Sequence, residues 1–304
     1  MSAKCAAPAT TISAPSNLLR AVKSPAWAGL LFFVCALALA QGTEKAGDAK
    51  RGQYLAAAGG CLGCHTEEKE KAAPYAGGRA LKTPFGIFYG PNITPHPEAG
   101  IGKWSEADFI RAMREGRRPD GAHYFPAFPY PSFTLINDAD LRDLFAYLRS
   151  LPPNARKSEP HQLGFLYRWR FLLAPWKWLF LRAGPFAPDA AVPPAVSRGA
   201  YLTRALGHCG ECHTPRNFLG APKSGQFLAG EKDVAPNLTP TRLKKWSDGD
   251  LKNFLTTGLT SDGDVPAKEM SEVITNTTSK LTPQDLDAII AFLRTVPPLP
   301  EPQK

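Results

Sequence analysis

An all-α fold built twice over is what this sequence predicts, and three observations predict it. The chain of 304 residues is long enough for about two ordinary domains. Matching stretches recur in register along its two halves, each copy spanning about 110 residues. Each half closes with an apolar-periodic segment, Asp138 to Leu151 and Thr282 to Val296, that stops at Pro-Pro. The 30 prolines argue against long uninterrupted elements of any kind. The expected organisation is a signal peptide (1–40), a first domain (41–153), an aromatic-rich connector (154–190) and a second domain (191–304).

The amino terminus carries Lys4, Arg20 and Lys23 without an acid, then an apolar run from Ala26 to Ala40 ending in a small-x-small site, Ala38-Leu39-Ala40. That is the pattern of a secretory signal peptide cleaved after Ala40, which implies export to the periplasm. The run is shorter than the ~20 residues that span a bilayer, which disfavours a retained anchor. The formal net charge of +9 falls to +6 once those three cations are removed, too little to support nucleic-acid binding.

Cys5 and Cys35 lie in the presequence, leaving Cys61, Cys64, Cys209 and Cys212. They form Cys61-Leu62-Gly63-Cys64-His65 and Cys209-Gly210-Glu211-Cys212-His213. Cys-x-x-Cys-His is the attachment signature of haem c. Two thioethers anchor the porphyrin edge and the following histidine reaches the iron. A redox dithiol needs neither the histidine nor a second copy. Zinc sites place their cysteine pairs much closer together. Two disulfides would not require His65 and His213. The expected cofactors are therefore two covalently bound haem c groups, with His65 and His213 as metal ligands.

The repeat extends well beyond the motifs. Arg51-Gly52-Gln53-Tyr54-Leu55 precedes the first and Arg198-Gly199-Ala200-Tyr201-Leu202 the second, each opening an amphipathic helix. Asn92-Ile93-Thr94-Pro95 answers Asn237-Leu238-Thr239-Pro240. Trp104-Ser105-Glu106 answers Trp246-Ser247-Asp248, with serine placed to cap the next helix. Those helices should end at Gly116 and Gly258. Asp120-Gly121 and Asp262-Gly263 follow in step.

The second axial ligands separate the halves. Met270 lies in the segment between Gly258 and the closing helix and is the expected partner of His213; thioether ligation raises reduction potential. Gly116 carried forward by the same interval lands on Phe128, which cannot ligate iron. His123, five residues earlier in Tyr124's loop, is the substitute imidazole, with a surface or propionate-bonding role as its competing reading. Met113 matches Leu255 in a helix and is expected in the core. His96 and Tyr124 are weaker candidates, and His208 adjoins its own attachment motif.

The segments Ile93-Thr94-Pro95, Gly100-Ile101-Gly102-Lys103-Trp104-Ser105, Arg117-Arg118-Pro119-Asp120-Gly121 and Phe125-Pro126-Ala127-Phe128-Pro129-Tyr130-Pro131-Ser132 resemble the cytochrome c subunits of bacterial membrane-associated dehydrogenases. The resemblance runs over nearly all of the chain after residue 41. It implies two tandem class I cytochrome c domains, and a relay carrying electrons from a partner dehydrogenase of the alcohol, gluconate or aldehyde type to quinone or the respiratory chain. The family tends to carry methionine where Phe128 stands here, and many of its members have three haems and a membrane-binding tail.

The connector, Phe165 to Arg182, mixes aromatics with arginine and is interrupted by Pro175, which disfavours a membrane span. Its apolar character favours packing over both domains, ahead of peripheral membrane, quinone or partner contact. Two other functions compete with the relay. One is a dihaem enzyme of peroxidase or thiosulfate-oxidising type, using an open first haem. The other is a small-ligand sensor.

Overall fold

A computed structural model of the protein describes residues 46–260 and 262–302; the expected signal peptide, with Cys5 and Cys35, lies outside them. The described residues form one compact unit.

In the first half, α1 (Ala49–Ala58) starts where the Asp48 side chain accepts from the backbone N–H groups of Lys50 and Arg51. It runs through Gly59 and Gly60 into the short α2 (Cys61–His65). Next come β1 (Ala80–Thr83) and β2 (Gly86–Tyr89), then α3 (Glu106–Glu115), α4 (Tyr130–Phe133) and α5 (Asp138–Ser150). A two-residue strand, β3 (Gln162–Leu163), and α6 (Leu173–Phe180) lead to the second half. There α7 (Pro194–Tyr201), α8 (Gly210–His213), α9 (Pro240–Leu243), α10 (Asp248–Thr257), α11 (Lys268–Asn276) and α12 (Pro283–Thr295) repeat the plan.

The repeated residues explain the repeated packing. α1 lies against α5, and α7 against α12. The glycine of each Arg-Gly-x-Tyr-Leu stretch is where the helices cross. A Cβ at Gly52 would sit 1.9 Å from the Asp143 carbonyl oxygen, and one at Gly199 would sit 1.8 Å from that of Ala288. Ser105 and Ser247 form full capping boxes with Asp108 and Asp250. Gly116 and Gly258 end α3 and α10 in left-handed conformation, as expected from the sequence. Met113 is buried in the core beside Phe109 and Leu144, also as expected.

The fold is mostly helical, but not all-α. β1, β2 and β3 form a three-stranded antiparallel sheet in that order. Thr83 pairs with Gly86, so Pro84-Phe85 is a two-residue hairpin link, and Gly86 takes φ +127° where a side chain would strike Gln162. Leu163 of β3 and Phe88 of β2 share a small apolar cluster with Phe125. The strands were missed because each is too short to show a period, and β3 lies far along the chain from its partner.

The two halves face each other through a reciprocal contact. Tyr54 Oη donates to Asp285 Oδ2 at 2.6 Å and accepts from the Thr282 amide at 3.2 Å. Its counterpart Tyr201 donates to Asp140 Oδ2 at 2.6 Å and meets the Asn137 amide at 3.3 Å. Each tyrosine thus reaches the first turn of the other half's closing helix. Arg51 pairs with Asp140 and Asp143, and Arg198 grips Asp285 through Nε and Nη2 at 2.9 and 2.7 Å. The arrangement is isologous, like the interface of a symmetric dimer.

The connector packs against both halves, as expected, but not with most of its aromatic rings. Trp176 Nε1 donates to the Leu219 carbonyl, and Lys177 Nζ donates to the last carbonyls of α3, Glu115 and Gly116, while lying over the Tyr130 ring. Arg170 reaches the His123 carbonyl and covers Phe125. The aromatic side chains around them face outward instead: Phe165, Trp169, Phe171 and Trp178 are exposed, Trp178 to 79%. Polar heads anchor the segment inward, and that turns its rings to solvent. Among the described residues no helix is long and apolar enough to cross a membrane.

Candidate haem sites

The short helices α2 and α8 present the two motifs. None of Cys61, Cys64, Cys209 and Cys212 is in a disulfide. Burial pushes the Cys61 and Cys209 thiols up to about 12, so neither is poised as a redox thiolate. Among the described residues no three His, Cys, Asp or Glu side chains converge as they would around a bare metal ion.

Each motif histidine has its ring oriented by a backbone carbonyl. His65 Nδ1 lies 2.7 Å from the Pro91 carbonyl oxygen, and His213 Nδ1 lies 2.7 Å from that of Pro236. A carbonyl can only accept, so each Nδ1 carries the proton and each Nε2 keeps its lone pair for a metal. Burial lowers both imidazole pKa values and keeps them in that neutral form. The acceptor residues were not singled out from the sequence, although the signal was there: each proline directly precedes the repeated Asn-x-Thr-Pro.

Those asparagines hold the carbonyls in place. Asn92 Oδ1 accepts from the Thr94 amide and hydroxyl, while its Nδ2 donates to the Asn154 and Arg156 carbonyls, each at 2.8 Å. Asn237 treats Thr239, Leu299 and Pro300 in the same way. The loop that orients each histidine is thereby tied to the chain leaving that half's closing helix. Buried asparagine amides with every group satisfied rigidify such a loop.

The residues expected as far ligands sit in different surroundings in the two halves. Met270 is half-buried in the first turn of α11, a helix where a loop was expected. Phe128 packs against Tyr124, Tyr130 and Phe133 and joins the cluster that contains Cys61. His123 bridges to Arg117 through its backbone, and its Nδ1 is buried without a hydrogen-bond partner. Burial and the charges of Lys177 and Arg117 hold that imidazole neutral. His96 Nδ1 instead accepts from the Glu98 and Ala99 amides and serves its own turn.

Each motif packs against elements of the other half. α11 packs on α2, and a methyl at Gly63 would come within 3.7 Å of Asn276 Nδ2. Ser132 Oγ of the first half donates to Glu211 Oε1 at 2.7 Å, inside the second motif. Arg79 bridges to Glu272 on α11 at 2.8 Å, and Lys268 pairs with Glu68.

A helical unit built twice, with an oriented histidine behind each cysteine pair, defines a dihaem c-type cytochrome. The family model for cytochrome c matches residues 49–152 and again 196–297, and the chain belongs to that family. It is similar to a dihaem cytochrome c-type protein of Cereibacter sphaeroides, 42% identical over 83% of this chain and 86% of that protein. It also resembles one of the nicotinate dehydrogenase subunits of Pseudomonas putida, 44% identical over 83% of this chain but 22% of that one. The fructose dehydrogenase cytochrome subunit of Gluconobacter japonicus is 40% identical over 81% of this chain and 52% of its own length. The chain thus spans much of the first relative and only part of the other two. It carries two covalently bound haem c groups, each of which supplies reversible one-electron exchange.

Proposed function

We propose that the protein is a periplasmic electron relay that takes electrons from a partner dehydrogenase subunit and hands them toward quinone or the respiratory chain. The observation that carries this reading is the pair of attachment motifs, each in contact with the other half within one compact unit. The relatives named as dehydrogenase subunits support it. In this reading Cys61 and Cys64 hold one haem and Cys209 and Cys212 the other. His65 and His213 are the near ligands, Met270 is the far ligand of the second haem, and His123, with its unpartnered ring nitrogen, is that of the first. Exported behind its signal peptide, the relay works outside the inner membrane. The exposed aromatic face of the connector docks the dehydrogenase: it is rich in Trp, Phe and Arg and free of acids, the composition of a protein interface core.

The test is stopped-flow reduction of the oxidised protein by its partner dehydrogenase. Rapid reduction of both haems, weakened by Trp178→Ser, is expected; reduction that no connector variant affects would move the docking site elsewhere. Unchanged reduction together with lost liposome binding would assign the aromatic face to the membrane. A second reading, a dihaem enzyme of peroxidase or thiosulfate-oxidising type, is favoured by Phe128 standing where a methionine ligand would be. Steady peroxide or thiosulfate turnover by the isolated protein would select it.

A further inference from the structure

The two halves differ by one residue just before their cysteines. From Tyr54 to Cys61 is one step shorter than from Tyr201 to Cys209. The extra residue is absorbed in a single wide turn, Leu202–Leu206, where Gly207 N–H donates to the Leu202 carbonyl; in the first half Gly59 N–H donates to Leu55, one residue nearer. Insertions of this kind inside helices gather at functional sites. Behind this one, His208 takes the place that Gly60 holds in the first half. Gly60 has φ +63°, which costs glycine nothing, whereas His208 is held at φ +36°, a left-handed backbone that costs a histidine about 1 kcal/mol.

The strain places the imidazole at the junction of the two motifs. The His208 ring meets the Phe133 ring edge-on at 5.3 Å between centroids. Its Nε2 lies 3.9 Å from where a methyl on Gly60 would stand, beside the first attachment cysteine. Its own carbonyl accepts from Glu211 N–H inside the second motif, and Glu211 in turn accepts from Ser132 of the first half. A strained residue held between Phe133 and Gly60 of the first half and the second motif is over-determined by its surroundings, the condition under which such strain persists.

We propose that His208 is a positioning residue: its ring is the wedge that fixes the first and second haem-attachment motifs relative to each other, and so sets how strongly the two haems interact. The proposal rests on both motifs carrying haem, which a pyridine haemochrome count of two per chain checks separately. His208→Gly relieves the backbone and removes the wedge, so the melting temperature stays near that of the wild type. The Soret circular-dichroism couplet between the haems then loses amplitude. The interaction constant between them, by which reducing one haem disfavours reducing the other in a redox titration, shifts about twofold or more as their separation changes. Phe133→Ala, which removes the other side of the wedge without touching a motif, must move both readouts the same way. His208→Phe keeps a ring and restores them. A couplet and titration unchanged in both His208→Gly and Phe133→Ala would overturn the proposal, as would a His208→Gly variant that loses only stability. A wild-type count below two haems would remove the reading beneath it.

Discussion

Removing the Tyr201 hydroxyl tests how the two halves are joined. The carboxylate of Asp140 has no exposed side-chain surface, and it is served by the Tyr201 hydroxyl at 2.6 Å and by the guanidinium of Arg51, itself 46% exposed. Tyr201→Phe keeps the ring and its packing against Phe186 but deletes one of the carboxylate's donors. A hydrogen bond to a charged, buried group is worth about 1.5–3 kcal/mol, and no water can replace it without opening the interface. At about 2–4 °C per kcal/mol for a unit of this size, the haem-loaded protein should melt about 3–12 °C lower. Tyr54→Phe should cost less. Asp285 keeps a two-pronged arginine, and Tyr54 is only half-buried. Differential scanning calorimetry of the two single variants and the double variant reads both the sizes and the additivity. Equal effects from the two tyrosines, or no effect from Tyr201→Phe, would refute the assignment of Asp140 as the more dependent carboxylate.

Three further outcomes follow from the same geometry. Gly199→Ala places a methyl against the Ala288 carbonyl, so α7 and α12 must separate; thermal melting should report a loss of about 3 kcal/mol or more, whereas Gly225→Ala, in open space, should be silent. Met270→Ala should lower the potential of one haem only and abolish the sulfur-to-iron charge-transfer band, as optical titration can show. Burial alone would raise the Asp285 carboxyl, but Arg198 and Tyr54 outweigh it and hold the group below its ordinary 3.8. Its stabilising contribution is therefore complete well above pH 3.8 and is lost as pH falls from 3.8 through the lower folded value. Acid unfolding followed by circular dichroism should accordingly begin at higher pH in Arg198→Gln.

The elements legible in the sequence are those fixed by neighbours along the chain. Capping serines with an aspartate three residues on, glycines in left-handed stops and the cysteine-histidine motifs are short-range patterns, and each stands where it was expected. The repeat also places Phe128 and Met270 at matched positions in the two halves, which is why unequal far ligands are proposed. Contacts between distant residues were not legible. Tyr54 and Asp285 lie 231 positions apart, and nothing local marks a tyrosine as a fastener rather than core. The one-residue insertion before Cys209 was visible in the spacing, but only the wide turn shows that it displaces His208 into the junction. The outward turn of the connector's rings was missed for a related reason: composition gives the amount of apolar surface, while Lys177 and Arg170 decide which way it faces.

Electron paramagnetic resonance of the oxidised protein, calibrated to its haem count, tests the relay most directly. Six-coordinate His213/Met270 and His65/His123 centres predict two low-spin ferric signals of equal weight, with a high-spin signal arising only in His123→Ala. One full equivalent of high-spin iron in the wild type, converting peroxide as it cycles, would contradict the relay and make the first haem a site of chemistry.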